Sequence, residues 1–232
     1  MQTIGLIGGM SWESSAHYYR LLNEGVRDRS GPTASARCLL WSFDFSDIEA
    51  LQHRGDWDAL TAHLVDAARW LEAGGATVLL ICTNTMHRMA GAVQAAVGIP
   101  LLHIVDPTAE KIRQAGFRTI GLLGTAFTME EGFYKDRLSE QHGLRVLIPG
   151  DQDRAAVHRI IYEELVAGKI TDEARATYRA VIARLVDAGA EAVILGCTEI
   201  MLLVRPDDSA VPLFDTTTLH ALAAVDAALA TP

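Results

Sequence analysis

Two short apolar runs, each closed by a Cys-Thr pair, constrain this chain more than any other feature. Val78-Leu79-Leu80-Ile81 runs into Cys82-Thr83-Asn84-Thr85, and Val193-Ile194-Leu195-Gly196 runs into Cys197-Thr198-Glu199. The two cysteines lie 197 − 82 = 115 residues apart. Each run follows a Gly-containing turn, Ala73-Gly74-Gly75 or Ala188-Gly189-Ala190, and reads as a buried strand entered from the C-terminus of a helix. Each cysteine then stands at the C-terminal end of its strand, the edge where open α/β sheets bind ligands.

The duplication extends beyond the cysteines. Ile4-Gly5-Leu6-Ile7-Gly8-Gly9 is repeated by Ile120-Gly121-Leu122-Leu123-Gly124-Thr125, at 120 − 4 = 116 residues. The aromatic pair Tyr18-Tyr19 is echoed by Phe133-Tyr134, and Ile99-Pro100-Leu101 by Val211-Pro212-Leu213. Recurrence in one order at one spacing predicts duplication of a single lobe. Helical periodicity over 14–26, 57–72, 155–166 and 174–186 places amphipathic helices between the strands. The fold class is therefore α/β, two similar lobes with parallel sheets and right-handed crossovers. With the boundary at Asp106-Pro107, the N-terminal lobe comprises residues 1–105 plus about 214–232, and the C-terminal lobe residues 106–213. The last segment, Thr216 to Leu229, reads as a helix capped by Asp215 or Thr216 that returns to the first lobe.

A net charge of −9, with no Lys/Arg run, argues against nucleic acid or an anionic membrane surface as partner. No apolar run approaches the roughly 20 residues that span a bilayer. The N-terminal segment lacks a basic region before its apolar run and reads as a first strand, so a cytoplasmic location is expected. Three cysteines without a C-x-x-C pair suit free thiols in a reducing compartment. Cys38 reads as packing.

A thiol with a free pKa of about 8.5 is mostly protonated at neutral pH and must be activated to act as a base. Thr83, Asn84 and Thr85 read as capping residues leading into a helix over 86–97, whose positive end would favour a thiolate or a substrate carboxylate. Two thiols serving a small carboxylate-bearing molecule suit proton transfer at a stereocentre, one removing the α-proton and the other delivering a proton to the opposite face. No phosphate-binding fingerprint is present, so neither nucleotide nor pyridoxal phosphate is expected. Zinc on Cys82 and His87 lacks further ligands, and no metal is expected. His87 and His103 lie near strand ends, in reach of a supporting role; His17, His53, His63, His142 and His158 read as surface positions.

At Gly8-Gly9-Met10-Ser11-Trp12-Glu13-Ser14, Cys82-Thr83-Asn84-Thr85-Met86-His87, Gly124-Thr125-Ala126-Phe127-Thr128-Met129-Glu130 and Gly196-Cys197-Thr198-Glu199-Ile200 the sequence resembles the cofactor-independent aspartate/glutamate racemase family, over essentially the whole chain. The resemblance implies two α/β lobes with the active site in the cleft between them, often in a homodimer. It implies a two-base reaction on Cys82 and Cys197 that interconverts L- and D-amino acids without a cofactor. It further marks Met10, Thr83, Asn84, Thr85, Thr125 and Thr198 as substrate-pocket residues, with Glu199 near the second thiol and Gln52 toward the substrate side chain. Arg54 and Lys169 are candidates for a side-chain carboxylate, which leaves specificity open between aspartate, glutamate and a broader set. Two alternatives share the architecture: a cysteine-based isomerase or decarboxylase of dicarboxylates, similar to maleate isomerases and arylmalonate decarboxylases, and a two-lobed binding protein without chemistry.

Overall fold

The computed structural model describes residues 1–230; positions 231 and 232 of the expected N-terminal lobe lie outside the described residues. The chain divides into two compact units, Met1–Ile104 with the segment from His220 onward, and Val105–Leu219.

The first unit carries β1 (Ile4–Gly8), α1 (Trp12–Ser30), β2 (Cys38–Ser42), α2 (Phe45–Arg54), α3 (Trp57–Ala73), β3 (Val78–Ile81) and α4 (Ala90–Ala96). The second carries α5 (Val105–Gln114), β4 (Thr119–Gly124), α6 (Ala126–Glu130), α7 (Gly132–Asp136), β5 (Arg145–Leu147), α8 (Asp151–Glu163), α9 (Asp172–Asp187), β6 (Ala192–Gly196), α10 (Ile200–Leu203) and β7 (Leu213–Asp215). A last helix, α11 (Thr216–Leu229), begins in the second unit and continues into the first. Asp215 caps it, its carboxylate accepting from the Thr217 and Thr218 N–H groups. Asp106-Pro107, read from sequence as a boundary, sits in the first turn of α5, where the missing proline N–H costs no helical bond.

Both sheets are parallel and share one strand order. The first runs β2-β1-β3, extended by a parallel bridge between Leu79 and Leu101; the second runs β5-β4-β6-β7. The Pro100 carbonyl accepts from Leu79 N–H at 2.9 Å, as the Pro212 carbonyl does from Val193 N–H at 2.9 Å. The repeated Ile-Pro-Leu and Val-Pro-Leu segments therefore do the same work at the same edge.

Strands β1, β3 and β6 are buried along their whole length, and β4 from Ile120 onward, as parallel strands covered by helices must be. Gly5 and Gly121 hold matching positions in the two central strands. A Cβ at Gly5 would lie 2.6 Å from Leu79 Cδ2 and 3.3 Å from Leu71 Cβ; one at Gly121 would lie 3.0 Å from Leu185 Cδ1 and 3.2 Å from Val193 Cγ2. The missing side chain lets α3 and α9 settle directly on the central strands.

In the first unit, one face of the sheet packs Ile48, Leu60, Leu64, Leu71 and Met86 against Ile7, Leu79 and Ile81. The other face packs Tyr18, Leu22 and Val26 with Ala221, Ala224 and Val225 of α11 against Ile4, Leu6 and Leu80. In the second unit Val157, Ile160, Tyr178, Val181 and Leu185 cover Leu123, Val193 and Leu195.

The aromatic echo is structural. Tyr18 and Tyr134 are fully buried, 134 − 18 = 116 residues apart. Tyr18 finds a partner for its hydroxyl in His220 Nδ1 at 2.9 Å, whereas the Tyr134 hydroxyl has none among the described residues, and burial pushes its phenol far above the ordinary range. A buried hydroxyl without a partner costs about 1–3 kcal/mol. Tyr134→Phe is therefore expected to raise stability by about 1 kcal/mol, read as a shift of the urea midpoint at unchanged slope.

Candidate active site

The candidate residues gather at the C-terminal edges of the two sheets. In the first unit, Cys82 follows β3 and its N–H donates to the Ile7 carbonyl at 2.9 Å, which fixes the Cys82 backbone beside the end of β1. Met10 lies in the loop leaving β1 and is buried. Ser15 ties that loop, its Oγ accepting from Gly9 N–H at 2.8 Å and donating to the Ser11 carbonyl at 3.1 Å. Ser14 Oγ donates to the Cys82 carbonyl at 3.2 Å. These two serines of α1 were not singled out from sequence, although both fall at the start of the helix next to the Gly8-Gly9 turn. Gln52, buried at the end of α2, donates to Met86 Sδ at 3.3 Å and so stands beside the segment that follows Cys82. Asn84 and Thr85 are buried and Thr83 half-buried.

The segment after Cys82 differs from the sequence reading. A five-residue 3-10 turn, Thr85–Met89, precedes the short α4, and Asn84 makes no side-chain capping bond to it. His87 is the reason. Its Nδ1 lies 2.8 Å from the Thr83 carbonyl, the acceptor that the His87 N–H would use in an α-helix, and the His87 N–H turns to the Asn84 carbonyl at 3.1 Å. The expected helix over 86–97 is thus kept over Ala90–Ala96, while its first residues form the tighter 3-10 turn.

In the second unit Gly124 and Gly196 pair across β4 and β6, so Thr125 and Cys197 emerge from neighbouring strand ends. Thr125 caps α6, accepting from Thr128 N–H at 3.3 Å. The Cys197 thiol donates to Glu199 Oε2 at 3.0 Å, and Thr198 Oγ1 donates to the same oxygen at 2.7 Å. Thr198 and Glu199 are buried. Cys197, Thr198 and Glu199 therefore form one connected donor and acceptor chain. Arg54 and Lys169, the candidate cations, are both exposed.

Both thiols are protonated in this state. Burial pushes Cys82 far above the ordinary thiol range. For Cys197, burial again acts first, and the charge of Glu199 and the bond to it raise the pKa further, outweighing the Thr198 and Glu199 backbone bonds that oppose them. A carboxylate 3.0 Å from the sulfur is also the group able to receive the thiol proton. Among the described residues no group of three or more His, Cys, Asp or Glu is disposed to hold a metal ion, and no helix is long and apolar enough to cross a membrane.

The arrangement has known relatives. A candidate Asp/Glu racemase of Yersinia pestis superposes with a TM-score of 0.93 at 53% identity, over 99% of this chain and 100% of that one. An aspartate racemase homologue from Pyrococcus horikoshii superposes with a TM-score of 0.84 at 34% identity, over 98% of this chain and 99% of that one. A glutamate racemase of Roseiflexus is 29% identical over 175 residues, a match that takes in 72% of this chain and spans 60% of that relative's length. The family model described as Asp/Glu/Hydantoin racemase matches residues 7–224. With its two parallel sheets in matching order and a cysteine at the end of each, the chain belongs to the Asp/Glu/Hydantoin racemase family.

Proposed function

We propose that this protein is a cofactor-independent amino-acid racemase in which Cys82 and Cys197 serve one substrate as the two bases. The observation that carries the reading is the pair of thiols at equivalent strand ends of two equivalent sheets, one of them bonded to a buried carboxylate. Packing alone gives no reason for both to be followed by threonine. In one direction the Cys197 proton passes to Glu199, and the resulting thiolate removes the proton from Cα. The electron pair left on Cα delocalises into the substrate carboxylate, and Cys82, neutral in its buried site, gives its proton to the opposite face. Cys82 is then the thiolate and Cys197 the thiol, which is the starting state for the reverse direction. The hydroxyls of Thr83, Thr85, Thr125 and Thr198 and the amide of Asn84 supply donors and acceptors for the substrate carboxylate and ammonium. Met10 and Gln52 bound the first unit's part of the pocket.

The relatives' names point to aspartate and glutamate. Arg54 and Lys169 are exposed, so the substrates to be tested extend to neutral amino acids as well. The test is Cα hydrogen exchange in D2O, followed by NMR for a panel of L- and D-amino acids with no added cofactor. Deuterium entering Cα with loss of optical purity supports the racemase. An inert panel overturns it in favour of dicarboxylate chemistry or a binding protein.

We further propose a homodimer through the outer edge of β2. Among the described residues that edge strand is unpaired on one side, and it exposes Leu40 (48%) and Trp41 (37%), with Trp70 (64%) stacked on Trp41 at 6.3 Å between ring centroids. An exposed apolar edge strand is a template for pairing, and a second copy satisfies it symmetrically. Sedimentation should give a mass of 2 × 25.1 = 50.2 kDa, and Trp41→Glu should return the protein to 25.1 kDa. A wild-type mass of 25.1 kDa would rule the dimer out.

A further inference from the structure

The first unit contains a buried cluster of aromatic and imidazole rings that the proton transfers do not use. His87 and His220 are almost fully buried, and His103 is half-buried. Ring centroids lie 4.6 Å apart for His87 and His103 and 5.7 Å for His87 and His220.

The bonding partners assign the tautomers. Ile104 N–H can only donate, so His87 Nε2, 3.1 Å away, carries a lone pair; the Thr83 carbonyl can only accept, so Nδ1 carries the proton. His220 Nε2 donates to the Leu102 carbonyl at 2.9 Å, and its Nδ1 shares a hydrogen bond of 2.9 Å with the Tyr18 hydroxyl, a group able to donate or accept. The His87 ring is therefore neutral, and both rings use each of their nitrogens.

What they connect is specific. Ile104 is the last residue before the chain leaves the first unit, and His220 is the residue at which it re-enters. Thr83 follows the thiol directly in sequence. The Thr83 carbonyl and the Asn84 N–H share one planar peptide, so fixing the carbonyl fixes where the N–H points and where the Thr83 Cα sits beside Cys82. No side-chain cap performs this task at the 3-10 turn. The His87 ring performs it instead, with its far side anchored on the Ile104 backbone.

We propose that His87 is the positioning residue of the Cys82 loop, a neutral Nδ1–H imidazole that holds the Thr83–Asn84 peptide against the backbone at Ile104. The proposal rests on the racemase reading for its kinetic effect and not for its structural one. Its two bonds can be removed separately. In His87→Asn the amide nitrogen takes the place of Nδ1 and keeps the donor to Thr83; in His87→Gln the amide oxygen takes the place of Nε2 and keeps only the acceptor for Ile104 N–H.

The experiment measures thermal stability, Cα exchange kinetics and the rate of iodoacetamide alkylation at Cys82 for both variants and wild type. Misplacing a reacting group by about 1 Å can cost about 10²-fold. The expectation is that His87→Gln lowers kcat by about 10- to 100-fold with KM little changed, and speeds Cys82 alkylation, while His87→Asn stays within about 3-fold of wild type in both. Equal effects of the two variants on kcat and alkylation, or no effect of either, would overturn the positioning role. If wild type itself exchanges no amino acid, the racemase reading fails, and the contrast in alkylation still decides the role of His87.

Discussion

Cys82→Ser is expected to lower racemisation by about 10³-fold while leaving one enantiomer able to exchange its Cα hydrogen. The asymmetry follows from two bases on opposite faces. With Cys82 replaced, Cys197 and Glu199 can still remove a proton from the enantiomer that faces them and return a solvent-derived one to the same face. Deuterium then enters without inversion. Cys197→Ser should show the same loss of racemisation and exchange of the other enantiomer only. Chiral chromatography with mass detection separates the outcomes: label and handedness are read on the same molecule. Exchange of both enantiomers in either single variant would mean one base working on both faces, and the two-thiol proposal would fail. Serine suits the test because its hydroxyl nearly matches the thiol in size but is far too weak an acid to take its place.

Much of this architecture was legible in the residues themselves. Parallel strands covered on both faces must be apolar throughout, so Ile4–Gly8, Val78–Ile81 and Ala192–Gly196 announce themselves, and the constant offset shows that they come in two sets. Strand β2 was not legible: as an edge strand with exposed Leu40 and Trp41 it follows neither the buried nor the alternating pattern, although Cys38 packs against the core as its sequence suggests. The helix after Cys82 is legible over Ala90–Ala96 but not at its start, where the His87 side chain takes the carbonyl that local propensity reserves for the backbone and a 3-10 turn results. His17, His142 and His158 read as surface but are half-buried; His142 Nε2 lies 3.0 Å from Asp106 Oδ1, and His158 Nδ1 accepts from Ala126 N–H. His220 carried no local signal at all. Its partners, Tyr18 and Leu102, are 202 and 118 residues away in sequence.

Glu199→Gln should move two observables in opposite directions. Catalysis is expected to fall by about 10²-fold, because the amide cannot take the proton from Cys197. The thiol itself should become more reactive. Glu199 raises the Cys197 pKa through its charge and through the bond to the sulfur, so neutralising it lowers that pKa toward the ordinary thiol value, and at pH 8 to 9 a larger fraction is thiolate. Iodoacetamide should then label Cys197 about threefold faster for each tenfold gain in thiolate, because a less basic thiolate is also a weaker nucleophile. Peptide mass mapping distinguishes Cys197 from Cys38 and Cys82. A variant that loses turnover with unchanged or slower alkylation would show that Glu199 does not govern the ionisation of Cys197, and the proton path proposed for it would fall.

Helix α11 sets a timetable for biosynthesis. Ile4 and Leu6 are covered by Ala221, Ala224 and Val225, which are made more than 200 residues after them. At about 5–20 residues per second, the ribosome needs about 10–45 s to deliver the cover for strands it has already released. The second unit, continuous from Val105 to Leu219, has all its core residues before the α11 cover is complete, so it is expected to fold first while the first unit waits with an apolar face open. A chain truncated before His220 and released should accordingly resist protease across 105–219 and be cut readily within 1–104.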